Sequence, residues 1–116
     1  MKKYAVLTLD VEDWYHLDYF SSIDVSKSYS MLDGLTNFLE IVDEFHIKST
    51  LFTLSDVVSV VKSDLLSAID EGHEVASHGM SHKRPLTISK DAFIKDIEYS
   101  KKNIEDSLSV EVLGYR

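Results

Sequence analysis

The chain contains no cysteine, which excludes both a disulfide framework and a thiolate metal site. One proline and four glycines among 116 residues leave no low-complexity or linker-like stretch, and no internal repeat is visible. No apolar run approaches the length of a membrane span. The opening Met1-Lys2-Lys3 resembles the start of a secretory leader, but Asp10 ends the apolar run at 4–9 before it reaches the length such a leader needs, so a cytoplasmic location is expected. Excess positive charge is also missing. Twelve Lys and Arg stand against twenty Asp and Glu, a net charge of −8, which argues against nucleic acid or an anionic membrane as the main partner. Lys83-Arg84 and Lys101-Lys102 are too small to reverse that balance.

What is present suits one small domain with a hydrophobic core, at 44% hydrophobic and 28% charged residues. The apolar run at 4–9 reads as a buried strand, and 10–29 as a long loop with Trp14, Tyr15, Tyr19, Phe20 and Tyr29. A helix over 31–45 follows, with Ser30 as N-cap and Leu32, Leu35, Phe38, Leu39, Val42 and Phe45 as its apolar stripe. Residues 47–54 form a second strand, 55–61 a short helix, and 64–71 another, capped by Ser63 and closed by Gly72. A strand at 73–77 and a loop at 78–87 lead to a long helix that Ser89 opens and that runs to about Leu108, with Phe93, Ile97, Ile104 and Leu108 inward. A last strand is expected at 110–113. The order β-α-β-α-α-β-α-β predicts an α/β fold with a parallel sheet and right-handed crossovers. The strands show no alternating polar face, which predicts a sheet covered on one side and closed or packed on the other.

Two clusters carry chemistry. His78-Gly79-Met80-Ser81-His82 follows the apolar Val75-Ala76, and Asp10-Val11-Glu12-Asp13 ends the first strand. Two histidines and a carboxylate form the ligand set of a catalytic divalent ion with an open position. Both clusters fall where strands stop, which is where α/β folds place their sites. No Glu follows His78, so this is not the helical motif of zinc proteases, and Gly79 and Pro85 predict a tight turn instead. Asp10 and Glu12 alternate along the strand and point the same way, while Asp13 turns off it. Three crowded carboxylates repel, and a dication would remove that penalty and leave one as a general base. The competing readings are two surface histidines and a solvated strand end. His46, at a helix end, reads as a dipole partner and His73 as structural. Trp14, Tyr15 and His16 are either groove-lining or core residues, and His16 is an outside candidate for a ligand. Lys83 and Arg84 read as solvated, or as contacts for an anionic glycan.

Leu7-Thr8-Leu9-Asp10-Val11-Glu12-Asp13-Trp14-Tyr15 resembles the first motif of the polysaccharide deacetylases, the NodB homology domain or carbohydrate esterase family four. The resemblance is closest to the branch with an Asp-Val-Glu-Asp-aromatic version. Glu71-Gly72-His73-Glu74-Val75-Ala76-Ser77-His78-Gly79-Met80-Ser81-His82 resembles the second motif, and Gly114-Tyr115-Arg116 the start of the third. The resemblance implies the N-terminal part of a distorted (β/α) barrel, with 1–116 a partial domain that ends within the third motif. It implies Asp10 as general base, with Arg116 orienting the catalytic carboxylate. His78 and His82 would be metal ligands together with Glu12 or Asp13, and the ion zinc or another divalent transition metal. The implied reaction is hydrolysis of the N-acetyl amide of a sugar or polysaccharide. The position of Gly79 is commonly Ser or Thr in the family, whose hydroxyl braces the loop. A whole barrel needs more strands than 116 residues supply. An incomplete form is therefore expected to expose an edge at 110–113 and self-associate, and to keep metal binding more readily than turnover. The alternatives are an inactive carbohydrate-binding or assembly module of the same fold, or a related amidohydrolase on a small amide.

Overall fold

The computed structural model describes residues 1–116. Three parallel strands, β1 (Leu7–Val11), β2 (Ser49–Thr53) and β3 (Glu74–Ser77), form one sheet in the order β1-β2-β3. Helices α1 (Gly34–Glu44), α2 (Lys62–Asp70) and α3 (Lys90–Leu108) make the connections. The α/β class with parallel strands is as the sequence predicts. Val11 pairs with Thr53 and Thr53 with Ser77, so all three strands stop at one level. The chain beyond each strand therefore emerges at the same edge.

All three helices cover one face. Leu9, Val11, Leu51 and Val75 lie on it with Leu35, Leu39, Leu65, Ile104 and Leu108 in a single apolar core. Leu51, Leu65 and Ile104 are fully buried. The alternate residues, Thr8 and Asp10, Thr50 and Phe52, Glu74 and Ala76, take the other face. Thr50 Oγ1 donates to Glu74 Oε2 there at 2.7 Å. Only β1 alternates cleanly, with Thr8 and Asp10 opposite its apolar residues; Phe52 and Ala76 interrupt the second face on β2 and β3, so the sheet as a whole has no continuous polar face.

The first strand is displaced from 4–9 to Leu7–Val11, because β2 begins at Ser49 opposite Leu7 and nothing pairs with the residues before it. Tyr4 and Val6 are consequently exposed. No strand forms at 110–113. The α3 carboxylate Glu105 accepts from the Val112 amide at 2.9 Å, and Lys101 Nζ donates to the Val112 carbonyl at 2.6 Å, so that segment is tied to the helix. Pairing with β3 is made later, where the Ser77 amide donates to the Gly114 carbonyl at 2.9 Å and the Arg116 amide to the Ser77 carbonyl at 3.1 Å.

Helix ends follow local chemistry. α1 starts at Gly34 rather than 31, because the Ser30 hydroxyl binds Asp13 and accepts from the Leu32 amide, leaving a turn at 31–33. Phe45 falls outside the buried stripe and is exposed. α1 and α2 close in the same way. The Ile47 amide reaches the Val42 carbonyl at 2.8 Å and the His73 amide the Ala68 carbonyl at 2.9 Å, around His46 (φ 54°) and Gly72 (φ 91°). His46 is thus a left-handed cap. Ser63 lies inside the first turn of α2 and caps nothing, and the helix expected at 55–61 is a single 3-10 turn, Ser55–Val57. Ser89 caps α3 as predicted, accepting from the Ala92 amide at 3.2 Å. No helix is long and apolar enough to cross a membrane.

Candidate active site

At the carboxyl edge of the sheet, Glu12 meets both histidines of the second cluster. Glu12 Oε2 lies 3.3 Å from His82 Nε2 and 3.7 Å from His78 Nε2. Asp10, two residues earlier on the same strand face, places Oδ2 3.9 Å from His78 Nε2. The side chains of Glu12, His78 and His82 are only 15%, 11% and 23% exposed.

The turn that aligns the rings is held from below. The His78 amide donates to the Thr53 carbonyl at 2.9 Å, continuing the ladder one residue past β3. Beyond it, the Ser55 and Asp56 amides donate to the Gly79 and Met80 carbonyls at 2.9 and 3.1 Å. The Gly79 amide donates to Ser77 Oγ at 3.1 Å, and Ser77 is bonded to Ser100 of α3 at 2.8 Å. Asp96, also on α3, accepts from the Met80 amide at 3.1 Å. Gly79 sits at φ 82°, and a Cβ there would lie 2.9 Å from Asp96 Oδ2. Both favour glycine, and Asp96 braces the turn through the Met80 amide. His82 itself is left-handed, at φ 63°.

Asp13 is not part of the cluster. It is 1% exposed, and its Oδ1 accepts from the Trp14 amide at 2.9 Å and the Met31 amide at 3.0 Å, while Ser30 Oγ donates to Oδ2 at 2.5 Å. Burial alone would raise its pKa. The Ser30 hydroxyl and the Met31 and Trp14 amides outweigh burial and hold the carboxyl below its ordinary value. His16 Nδ1 accepts from the Asp13 amide at 3.0 Å, completing a reciprocal cap, and stands apart from the two clustered histidines. Arg116 is brought to Asp10, with Nη1 3.3 Å from Oδ1, and its carbonyl is 2.8 Å from His78 Nδ1.

Beside the cluster lies a polar groove of about 750 Å³. Tyr15, His16, Tyr19, Lys27, His82 and Arg84 are among its walls. Trp14 is turned away from it, packed edge-on against Phe20 with Nε1 donating to the Tyr29 carbonyl at 2.9 Å. Two participants escaped the sequence reading. Asp18, which lines the groove with an oxygen 3.7 Å from His82 Nδ1, comes from a loop with no periodicity to mark it. Asp96 had a usable signal, since Asp96, Ser100 and Asn103 recur at helical spacing and Asn103 Nδ2 also reaches Ser55 Oγ at 2.8 Å.

The donor set fits a divalent cation. Glu12 Oε2 and His78 Nε2 are buried polar atoms without a hydrogen-bond partner, an arrangement that costs stability unless something else satisfies them, and His82 Nε2 lies 3.3 Å from that Oε2. Ligand atoms of Glu12, His78 and His82 lie within 4.8 Å of one another. A second group of this kind, Asp43, Glu71 and His73, is already satisfied by Lys48 on Asp43 at 3.1 Å and by Ser49 and Asp43 on the two nitrogens of His73.

An α/β sheet with its acidic and imidazole side chains gathered at the strands' carboxyl ends is the class of protein defined here. Residues 2–116 match the polysaccharide deacetylase family, and the chain belongs to that family. A peptidoglycan deacetylase of Helicobacter pylori is 26% identical over a 72-residue alignment that covers 59% of this chain and 25% of that protein. The Xyl-CE4 domain of a multidomain xylanase from the Trinervitermes trinervoides hindgut metagenome shares the fold with a TM-score of 0.72 at 23% identity, over 96% of this chain and 46% of that one. Wild-type BA3943 of Bacillus anthracis, a CE4 family pseudoenzyme, also superposes with a TM-score of 0.72, at 21% identity over 95% of this chain and 33% of its own. The chain thus spans less than half the length of these relatives, and its fold is that of the N-terminal part of their barrel.

Proposed function

We propose that the chain carries the metal-binding and base-bearing half of a hydrolase that removes N-acetyl groups from a glycan. The observation that carries this reading is the convergence of Glu12 Oε2, His78 Nε2 and His82 Nε2 beside Asp10, the first two buried and without a hydrogen-bond partner. Glu12, not Asp13, is the carboxylate of the set, because both oxygens of Asp13 are already engaged. When bound, a zinc-like ion would polarise the acetyl carbonyl and acidify a water. Asp10, next to the ligands and held by Arg116, accepts the proton of the attacking water. Arg116 keeps that carboxylate aimed, and Tyr15 and Tyr19 offer ring faces to sugar along the groove. Water adds to the carbonyl carbon, the C–N bond breaks and the proton taken from water ends on the leaving nitrogen, giving acetate and a sugar amine.

A non-catalytic module of the same fold is the second reading, favoured by the equal match to a pseudoenzyme. Retention of Asp10 within 3.9 Å of His78 supports the enzymatic one. Zinc titration of the metal-free chain, with Glu12→Ala, His78→Ala and His82→Ala variants, tests the metal site. One ion per chain is expected, with each variant at least about 100-fold weaker. Equal binding by wild type and variants would overturn the site. Acetate release from N-acetylglucosamine oligomers by the whole protein, abolished in Asp10→Asn at unchanged zinc content, separates enzyme from module.

A further inference from the structure

The two clustered imidazoles are each approached at both nitrogens. His78 turns Nε2 toward Glu12 and Asp10, and its Nδ1 lies 2.8 Å from the Arg116 carbonyl, which can only accept. His78 therefore carries its proton on Nδ1 and presents a lone pair at Nε2. His82 has a carboxylate near each nitrogen, at longer range. Its Nε2 is 3.3 Å from Glu12 Oε2, and its Nδ1, buried and without a hydrogen bond, is 3.7 Å from Asp18 Oδ1. The other oxygen of Asp18 accepts from Arg84 Nε. The turn that begins at Asp18 is closed on the same residue, whose carbonyl accepts from the Ser21 amide at 3.1 Å and from Ser21 Oγ at 2.8 Å.

We infer that Asp18, steadied by Arg84, is the positioning residue for His82: it takes the Nδ1 proton and so aims the Nε2 lone pair at the point shared with Glu12 and His78. The inference rests on the divalent-cation reading above, which reserves Nε2 for the ion, and on Asp18 being the carboxylate beside the buried Nδ1. A neutral imidazole has a single N–H, and the nitrogen that keeps it is set by the acceptor available. A carboxylate behind a ligating histidine fixes the ring and raises its basicity. Arg84 balances the charge of Asp18, so that the carboxylate remains an acceptor beside the acidic Glu12. Asp18 also belongs to the loop that carries Tyr15 and Tyr19, so the contact joins one wall of the groove to the ion site.

Two measurements on the intact chain test this. In metal-free protein at about pH 8, where imidazole is neutral, nitrogen-15 NMR of His82 is expected to show the Nδ1–H tautomer. An Nε2–H tautomer overturns the proposal, whatever the protein does with metal. Zinc titration is expected to show about 10- to 100-fold weaker binding in Asp18→Asn, a smaller loss in Arg84→Gln and partial recovery in Asp18→Glu. Wild-type binding with Asp18→Asn within about twofold of it would also overturn the proposal. Should Asp18→Asn not fold, Arg84→Gln and the wild-type tautomer decide. A wild-type chain that binds no zinc but shows the Nδ1–H tautomer would defeat the metal reading and leave the Asp18–His82 pairing standing.

Discussion

Arg116 reaches Asp10 across the whole sheet. Its guanidinium enters from the segment paired outside β3, passes over the Phe52 ring at 5.6 Å, and donates to Thr8 Oγ1 at 2.9 Å and Asp10 Oδ1 at 3.3 Å on β1. Its backbone carbonyl meanwhile meets His78 Nδ1. One residue thus addresses the candidate base through its side chain and a candidate ligand through its main chain. Arg116→Ala removes only the first contact. It is expected to leave zinc affinity within about threefold of wild type and to lower acetate release by the whole protein about 10- to 100-fold. A parallel loss of zinc affinity would show that the guanidinium is needed to build the ion site as well.

Asp13 separates a structural carboxylate from a ligating one. Its hydrogen bonds to Trp14, Ser30 and Met31 tie the end of β1 to the approach to α1. Asp13→Asn retains the shape but replaces one acceptor with a donor facing donors. A loss of about 1–3 kcal/mol is expected, because a buried group is left unsatisfied. Denaturant melts measure the loss, and zinc titration of the folded variant is expected to match wild type. Zinc affinity reduced more than about tenfold would return Asp13 to the ligand set.

The contrast between Asp10 and Asp13 also shows what the chain of letters discloses. Period-two alternation places Asp10 and Glu12 on one strand face, and the structure brings both to His78. The fate of Asp13 depends on Ser30 and Met31, 17 and 18 positions away, and no local pattern announces that contact. The core helices were legible from their stripes, and Ser89 and Gly72 from cap chemistry. The strand ends were not, because they are set by the partner strand rather than by the apolar run. Asp18 was invisible because its loop takes its form from tertiary contacts.

Gly79 and Asp96 form a matched pair. Gly79→Ala forces a Cβ to 2.9 Å from Asp96 Oδ2 and a side chain onto a left-handed backbone. The backbone term is about 1–2 kcal/mol, and displacing Asp96 from the Met80 amide adds about 1 kcal/mol. Asp96→Ala alone removes the brace without the clash. The double variant is expected to be more stable than the sum of the two singles, because the close approach is gone. Strict additivity in chemical denaturation would mean that backbone strain alone explains the glycine.

At the opposite edge of the sheet, Asp43 and Glu71 lie side by side with Lys48 and His73. The hydrogen bond from Glu71, and then that from Lys48, lower Asp43 to about 2, while the same bond to Asp43 raises Glu71 above its ordinary value. The signs are opposed. The depressed Asp43 adds stability that is present above the ordinary Asp value and is lost as pH falls toward about 2. The raised Glu71 adds stability that is present below the ordinary Glu value and is lost as pH rises through its raised one. The two contributions overlap near about pH 4, the usual carboxylate range. Above the raised Glu71 value the Glu71 proton is lost and the like charges repel. Glu71→Gln keeps a donor toward Asp43 at every pH. Thermal melts of metal-free protein are therefore expected to give wild type and Glu71→Gln the same midpoint near about pH 4, and a higher midpoint for the variant at about pH 7. A variant that tracks wild type at both values would show that the two carboxyl groups do not share a proton.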